Sequence, residues 1–231
     1  MVEIRRADER GRTNWAWLDS RHTFSFGEYF DPSNLGFRTL RVINDDRVQP
    51  GAGFGAHPHH DMEILSYVLE GALEHRDSLG NGSVIRPGEI QHMRAGTGVV
   101  HSEYNPSHTE PTHFLQIWIV PGRRGLPPAY GQYRFDGERA ASDFVLLASR
   151  DGRDGSVALE QDVELLVTRL DGAASRTYDL RQVRSAWVHV VRGSAVVNGR
   201  VLGEGDAAAV TDELITLTNG QHAELLVFDL A

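Results

Sequence analysis

The sequence predicts an all-β protein with two similar antiparallel barrels and few, short helices. Short apolar runs are separated by turn signals, and the chain contains 24 Gly and 9 Pro, many at turn-like positions. No helical pattern of about 10–15 residues lies between these runs, which favours a barrel or sandwich. The two halves also share one pattern at residues 67–73 and 188–195: an apolar strand, a charged residue, Gly and a second strand.

The first series of strands follows a mixed segment, residues 1–36, which is rich in aromatic side chains. Residues 38–43 form a strand-like run that ends at residues 44–46, Asn-Asp-Asp, which indicate a turn. The same reasoning predicts strands at residues 62–69, 72–75, 83–86 and 114–120.

The second series of strands follows a segment rich in Gly, Pro and Arg, residues 122–142, which we interpret as a connector. Asn198-Gly199 is a two-residue hairpin signal. We expect an N-terminal barrel over residues 1–130, which contains the pairs His57-x-His59 and His101-x-Glu103, and a C-terminal barrel over residues 131–231, which contains no His-x-His pair. The strands of the second series are predicted at residues 144–148, 164–170, 186–192, 194–197, 207–210, 215–218 and 224–230.

The composition excludes several kinds of chemistry. Because Cys is absent, the chain has no disulfides, thiolate metal sites, iron–sulfur clusters or Cys nucleophile. Because Lys is absent, it has no Schiff-base chemistry. The net charge of -9 argues against a phosphate-binding surface. No apolar run approaches about 18 residues, and the first residues form no apolar signal region. We therefore expect a soluble, cytoplasmic protein with no nucleic-acid or membrane partner.

Two pairs of side chains predict a metal site. His57-x-His59 and His101-x-Glu103 both have i, i+2 spacing, and in a strand such residues project from the same face. Imidazole suits first-row metals, and a carboxylate adds an anionic donor. Eight of the eleven His fall between residues 57 and 113.

The motifs around these pairs closely resemble the pirin family of bicupins, and bacterial pirin-like proteins with quercetin 2,3-dioxygenase activity in particular. The resemblance implies two jelly-roll barrels. Near the start of the chain, the resemblance rests on the segments Trp17-Leu18-Asp19-Ser20 and His22-Thr23-Phe24-Ser25-Phe26. Its central motifs are His57-Pro58-His59, Leu69-Glu70-Gly71, Gln91-His92-Met93-Arg94-Ala95-Gly96, Gly98-Val99-Val100-His101-Ser102-Glu103 and Gln116-Ile117-Trp118.

The resemblance implies both a ligand set and an activity. His57, His59, His101 and Glu103 would bind one divalent metal per chain, with Fe(II) expected and Ni, Mn, Co, Cu or Zn also suited. The activity would be cleavage of a flavonol such as quercetin with O2, with Glu103 also acting as the base. Two alternatives stay open: a metal-containing regulatory pirin that binds a protein partner, and a cupin that acts on another small molecule.

The remaining site predictions concern residues near these ligands. Phe54, Phe26 and Trp118 are candidate apolar walls for a planar substrate, and Gln116 is a candidate partner that orients a ligand histidine. His92 stands where many pirins have a tryptophan, and its contribution to the site stays open. We expect Asp45 and Asp46 to be turn residues, His60 to point away from the site, and His189 to be structural.

Overall fold

The computed structural model describes residues 1–181 and 183–231, and within them the strands pair antiparallel. Strands are numbered along the chain. The first twelve are β1 (Val2–Arg5), β2 (Gly11–Trp15), β3 (Leu18–His22), β4 (Leu40–Val48), β5 (Gly53–His59), β6 (Glu63–Glu70), β7 (Leu73–Asp77), β8 (Gly82–Ile85), β9 (Glu89–Arg94), β10 (Val99–Tyr104), β11 (Thr112–Ile119) and β12 (Ala129–Arg134).

The second half of the chain continues in the same way. Its strands are β13 (Val145–Ser149), β14 (Val157–Ala158), β15 (Val163–Leu170), β16 (Arg176–Tyr178), β17 (Ser185–Val197), β18 (Arg200–Gly203), β19 (Ala207–Thr211) and β20 (Ile215–Leu230). In the described part of the chain, the helical elements are the α-helix α1 (Gly137–Ser142) and two 3-10 turns, Ala7–Glu9 and Arg153–Gly155. The prediction of an all-β fold with few short helices is confirmed. Among the described residues, no helix has the length and apolar character needed to cross a membrane.

The chain divides into two compact units. The N-terminal unit contains Gly11–Phe135 and Val157–Gln161, and the C-terminal unit contains Met1–Arg10, Asp136–Ser156 and Asp162–Ala231. The division of the sequence at residue 130 stays a prediction.

The N-terminal unit consists of two sheets. One has the strand order β12-β9-β6-β11-β4-β3-β2, and the other has the order β5-β10-β7-β8. Alternate side chains of each strand point into the unit because successive residues face opposite sides. The apolar cluster between the sheets draws residues from both of them: Leu18, Val48, Val68 and Phe114 from the larger sheet, and Leu73 and Ile85 from the smaller one.

The C-terminal unit is one large sheet with the order β1-β19-β17-β20-β15-β13, to which β16 and β18 also pair. Two of its strands are longer than predicted. Residues 186–192 and 194–197 lie in the single strand β17, and residues 215–218 and 224–230 lie in β20. Register shifts around Gly193 bend β17 without ending it, as β-bulges do. The hairpin at Asn198-Gly199 is confirmed, with positive φ at both residues.

Two local predictions were wrong. Residues 44–46 are not a turn, because β4 continues through them to Val48. Pairing with β3 on one side and β11 on the other outweighs the turn preference of Asn and Asp. The connector at residues 122–142 contains β12 and α1, and Asp136 caps α1 by accepting from the backbone N–H groups of Glu138 and Arg139.

Candidate metal centre

Two neighbouring strands carry the predicted ligand pairs. His57 and His59 end β5, and His101 and Glu103 lie on β10, where His101 is directly opposite His57. The register shifts between His101 and Glu103, which indicates a bulge at the site. The strands approach so closely at Gly53 that a Cβ there would lie 2.2 Å from the carbonyl oxygen of Glu103. Only glycine allows this approach.

Three of the four predicted ligands converge. The ring centroids of His57 and His101 are 4.5 Å apart, and each lies 4.8 Å from the ring of His59. The Nε2 atoms of His57 and His101 are 3.0 Å apart. The Nδ1–H of His57 donates to the carbonyl of Gly55 at 2.7 Å, which leaves a lone pair on Nε2. This is the arrangement in which imidazoles bind one metal ion.

The electrostatics of the cluster keep the rings of His59 and His101 neutral. Burial, followed by the nearby rings of His57 and His60, lowers the pKa of His59 to about 4. Burial, followed by His57 and His59, lowers the pKa of His101 to about 2. Neutral imidazole is the form that binds a metal, so the donor set fits a divalent ion at neutral pH.

Glu103 lies beside these rings and is held by the larger sheet. Ser66 Oγ donates to its Oε1 at 3.1 Å, and Gln116 Nε2 donates to its Oε2 at 2.6 Å. Burial raises the pKa of Glu103 to about 7, although both hydrogen bonds oppose the shift. Its carboxylate belongs to a second cluster with His75 and His101, whose ligand atoms all lie within 4.8 Å of one another. Gln116 therefore contacts the predicted carboxylate ligand, whereas the sequence suggested a ligand histidine.

The predicted aromatic residues divide between two places. Phe26 and Trp118 line a cavity of about 300 Å³, with their rings edge to face at 5.4 Å. Trp118 also lies edge to face with His59 at 5.0 Å, so it links the cavity to the histidine cluster. Phe54 packs edge to face against Trp17 at 5.2 Å and against the apolar cluster of the unit. Its contact with a substrate stays a prediction.

Sequence reasoning missed two buried groups near Glu103. His75 lies directly opposite Glu103 on β7, and its spacing with Asp77 is the same i, i+2 pattern that identified the ligand pairs. Asp46 was interpreted as a turn residue, but it is 2% exposed. Burial raises its pKa to about 7, and the neighbouring charges of Asp45 and Glu103 add to this effect against a hydrogen bond with Ser20.

The other histidines of the N-terminal unit lie outside the cluster of His57, His59 and His101. His92 is buried and contacts the carboxylate of Glu63 through Nε2. Glu63 also accepts from the backbone N–H of Glu160 at 3.1 Å. His60, the first residue after β5, is exposed, and its side chain was expected to point away from the cluster.

The motifs and the fold both agree with comparisons to known proteins. Residues 3–119 match the pirin family, and residues 146–230 match the quercetinase C-terminal cupin domain. The chain belongs to the pirin family. The predicted resemblance and the two cupin-type domains are therefore confirmed.

Full-length bacterial proteins are similar to this pirin. It is 48% identical to the quercetin 2,3-dioxygenase of Escherichia coli over 231 residues, which cover 100% of this chain and 99% of that protein. The crystal structure of the bacterial pirin YhhW from Escherichia coli in complex with nickel(II) is 47% identical, with a TM-score of 0.95, and the match covers 100% of this chain and 99% of YhhW. A putative quercetin 2,3-dioxygenase of Mycobacterium tuberculosis is 42% identical over 99% of this chain and 95% of that protein. The predicted similarity to quercetin 2,3-dioxygenases is confirmed.

Proposed function

We propose that this pirin is a mononuclear metal-dependent dioxygenase that cleaves a flavonol such as quercetin with O2. The observation that carries the proposal is the convergence of three imidazoles, His57, His59 and His101, next to an aromatic cavity. The names of its full-length bacterial relatives support the same substrate class.

His57, His59, His101 and Glu103 are the proposed ligands of one divalent metal. Three neutral donors and one carboxylate form a site with open coordination positions, as catalytic metal sites require. We propose Fe(II), although the same donors suit Ni, Mn, Co, Cu or Zn, and YhhW was solved with nickel(II). A divalent metal bound there supplies Lewis-acid chemistry that polarises the hydroxyl and carbonyl oxygens of a flavonol and lowers the hydroxyl pKa.

Glu103 is also the proposed base that accepts the hydroxyl proton of the substrate. Burial raises the pKa of Glu103 to about 7 in the metal-free protein, so burial strengthens this carboxylate as a proton acceptor. Ser66 and Gln116 each donate to a different oxygen of this carboxylate and so hold its orientation. The hydroxyl group of Ser66 and the amide group of Gln116 thus orient Glu103 for its two proposed roles, as a metal ligand and as a base.

The cavity beside Trp118 is the proposed binding site for the planar rings of the substrate. Its volume of about 300 Å³ is at the lower end of small-molecule sites. Phe26, Trp118 and Met62 supply flat or apolar walls, and Trp118 contacts the ring of His59. A flavonol held there would place its polar edge towards the histidine cluster.

Oxygen uptake in the presence of quercetin tests this function. Protein loaded with Fe(II) or Ni(II) should consume O2 and release carbon monoxide as quercetin disappears. His59→Ala should lose both metal and oxygen uptake, whereas His189→Gln, a buried histidine of the C-terminal unit, should retain both. Turnover restricted to non-flavonoid enediols would instead assign another small-molecule substrate. Metal-loaded protein without any turnover would favour the regulatory alternative.

A further inference from the structure

A third side-chain pair with i, i+2 spacing lies next to the histidine cluster. His75 and Asp77 are on β7, which pairs with β10 so that His75 is opposite Glu103 and Asp77 is opposite His101. Both side chains are buried. The ring centroids of His75 and His101 are 5.3 Å apart. The pair therefore contacts the proposed metal site from the side of β10 opposite to β5.

The contacts of His75 determine which of its nitrogens carries the proton. Burial opposes the ionisation of Asp77, but hydrogen bonds from Asn81, His75 and the backbone outweigh it and lower the Asp77 pKa. A carboxylate only accepts, so His75 Nε2, 3.2 Å from Asp77 Oδ2, is the donor. Neutral His75 then has its lone pair on Nδ1. This atom is buried and has no hydrogen-bond partner among the described residues.

His101 needs the complementary group once its Nε2 binds a metal. Nε2 is the atom that faces His57, so a metal held by the three rings would bind it there. The neutral ring must then carry its proton on Nδ1, which is also buried and without a partner in the described part of the chain. Metal-bound histidines almost always donate this second N–H to an acceptor.

We propose that His75 and Asp77 are positioning residues for His101. In the metal-bound protein, His75 Nδ1 accepts a hydrogen bond from a water molecule that itself accepts the Nδ1–H of His101, and Asp77 keeps the proton of His75 on Nε2. These contacts fix the orientation and the tautomer of His101 and strengthen it as a ligand. The inference rests on the proposed metal site, and it adds two residues that do not bind the metal themselves.

Asp77→Asn is the sharpest test, because it reverses the polarity at Oδ2, which accepts from His75 Nε2 and from the side-chain amide of Asn81, and preserves the backbone contacts of the local turn. Oδ1 of residue 77 accepts from the backbone N–H groups of Leu79 and Asn81, and an Asn oxygen can keep both contacts. The new amide N–H2 replaces Oδ2 and moves the His75 proton to Nδ1, which can then no longer accept the hydrogen bond that links it to His101. Nickel affinity, measured by competition with a chelator, should fall by about 10–100-fold.

Variants of His75 separate a positioning role from a purely structural one. His75→Phe keeps a ring but removes the acceptor, so its nickel affinity should fall by a similar factor. His75→Gln keeps a carbonyl acceptor and should recover part of the loss. The matched control is His113→Phe, which removes a buried hydrogen bond of 2.7 Å to Asp45 elsewhere in the same unit. The control should lose thermal stability while keeping the nickel affinity of the parent.

Two-bond 1H–15N NMR spectra of the zinc-loaded protein identify the tautomers directly. We expect His75 to carry its proton on Nε2 and His101 on Nδ1. A proton or a zinc ion on His75 Nδ1 would overturn the inference, as would unchanged nickel affinity in both Asp77→Asn and His75→Phe. If the parent binds neither metal, the proposed metal site is wrong. In that case the His75 tautomer of the metal-free protein still tests the contact with Asp77. A proton on Nε2 would support the hydrogen bond to Asp77, and a proton on Nδ1 would contradict it.

Discussion

Glu103→Gln should stabilise the metal-free protein at alkaline pH. Burial raises the pKa of Glu103 from an ordinary value of 4.5 to about 7 in the folded chain, so the folded state binds this proton more tightly than the unfolded state. Its contribution to stability is complete below pH 4.5 and is lost as the pH rises through 7. Each unit of pKa shift corresponds to about 1.4 kcal/mol, so the ionised carboxylate destabilises the metal-free fold by about 3 kcal/mol at pH 8.

A glutamine at position 103 avoids this cost without breaking the local contacts. Its carbonyl accepts from Gln116, and its amide donates to Ser66, so both neighbours keep a partner. The stability gain over the parent should grow from less than about 1 kcal/mol at pH 5 to about 3 kcal/mol at pH 8. Asp46 has a similarly raised pKa, to which the charge of Glu103 contributes, so Glu103→Gln should also lower the pKa of Asp46 and add to the gain at alkaline pH.

Urea unfolding of chelator-treated protein between pH 5 and 8 measures this difference. Glu110→Gln, at an exposed position, is the control and should show no pH-dependent gain. A Glu103→Gln difference that stays constant across the pH range would refute the reasoning, because the effect would then not come from the ionisation of Glu103.

Three further predictions follow from the same geometry. Metal affinity should fall as the pH drops below about 7, because Glu103 gains a proton there while His59 and His101, with pKa values of about 4 and 2, stay neutral. Competition with a chelator from pH 8 to pH 5 measures this affinity. An affinity that does not change with pH would argue against Glu103 as a ligand. Trp118→Ala should raise the KM for quercetin while the metal content stays intact. Steady-state kinetics of Phe54→Ala test whether the ring of Phe54 also contacts the substrate. Elemental analysis should find one metal per chain, and a value near two would show that a second site exists.

The ligand pairs could be predicted from sequence because their geometry is local. Alternate residues of one strand face the same side, so His57 with His59, and His101 with Glu103, were expected to point together. The structure adds what strand spacing cannot specify, namely that β5 and β10 are neighbours and that His101 is opposite His57. The resemblance to pirin motifs supplied the expectation that these four residues bind one metal together.

The missed features depend on contacts between distant parts of the chain. Asp45 and Asp46 have turn preferences, but β3 and β11 flank them and extend the strand. His75 had the right spacing with Asp77, yet its proximity to His101 follows only from the pairing of β7 with β10. Gln116 was predicted to contact a ligand histidine, but it donates to the carboxylate of Glu103. Glu103 follows a bulge in β10, and the sequence does not predict this bulge.

The central claim is that one metal is held by His57, His59, His101 and Glu103, and anomalous diffraction from metal-loaded crystals tests it most directly. The account predicts one peak per chain, bonded to Nε2 of His57, Nε2 of His101, one ring nitrogen of His59 and an oxygen of Glu103 at about 2.0–2.2 Å. A peak bonded to His75 in place of His57 and His59, a peak in the C-terminal unit, or no peak from fully loaded protein would contradict it.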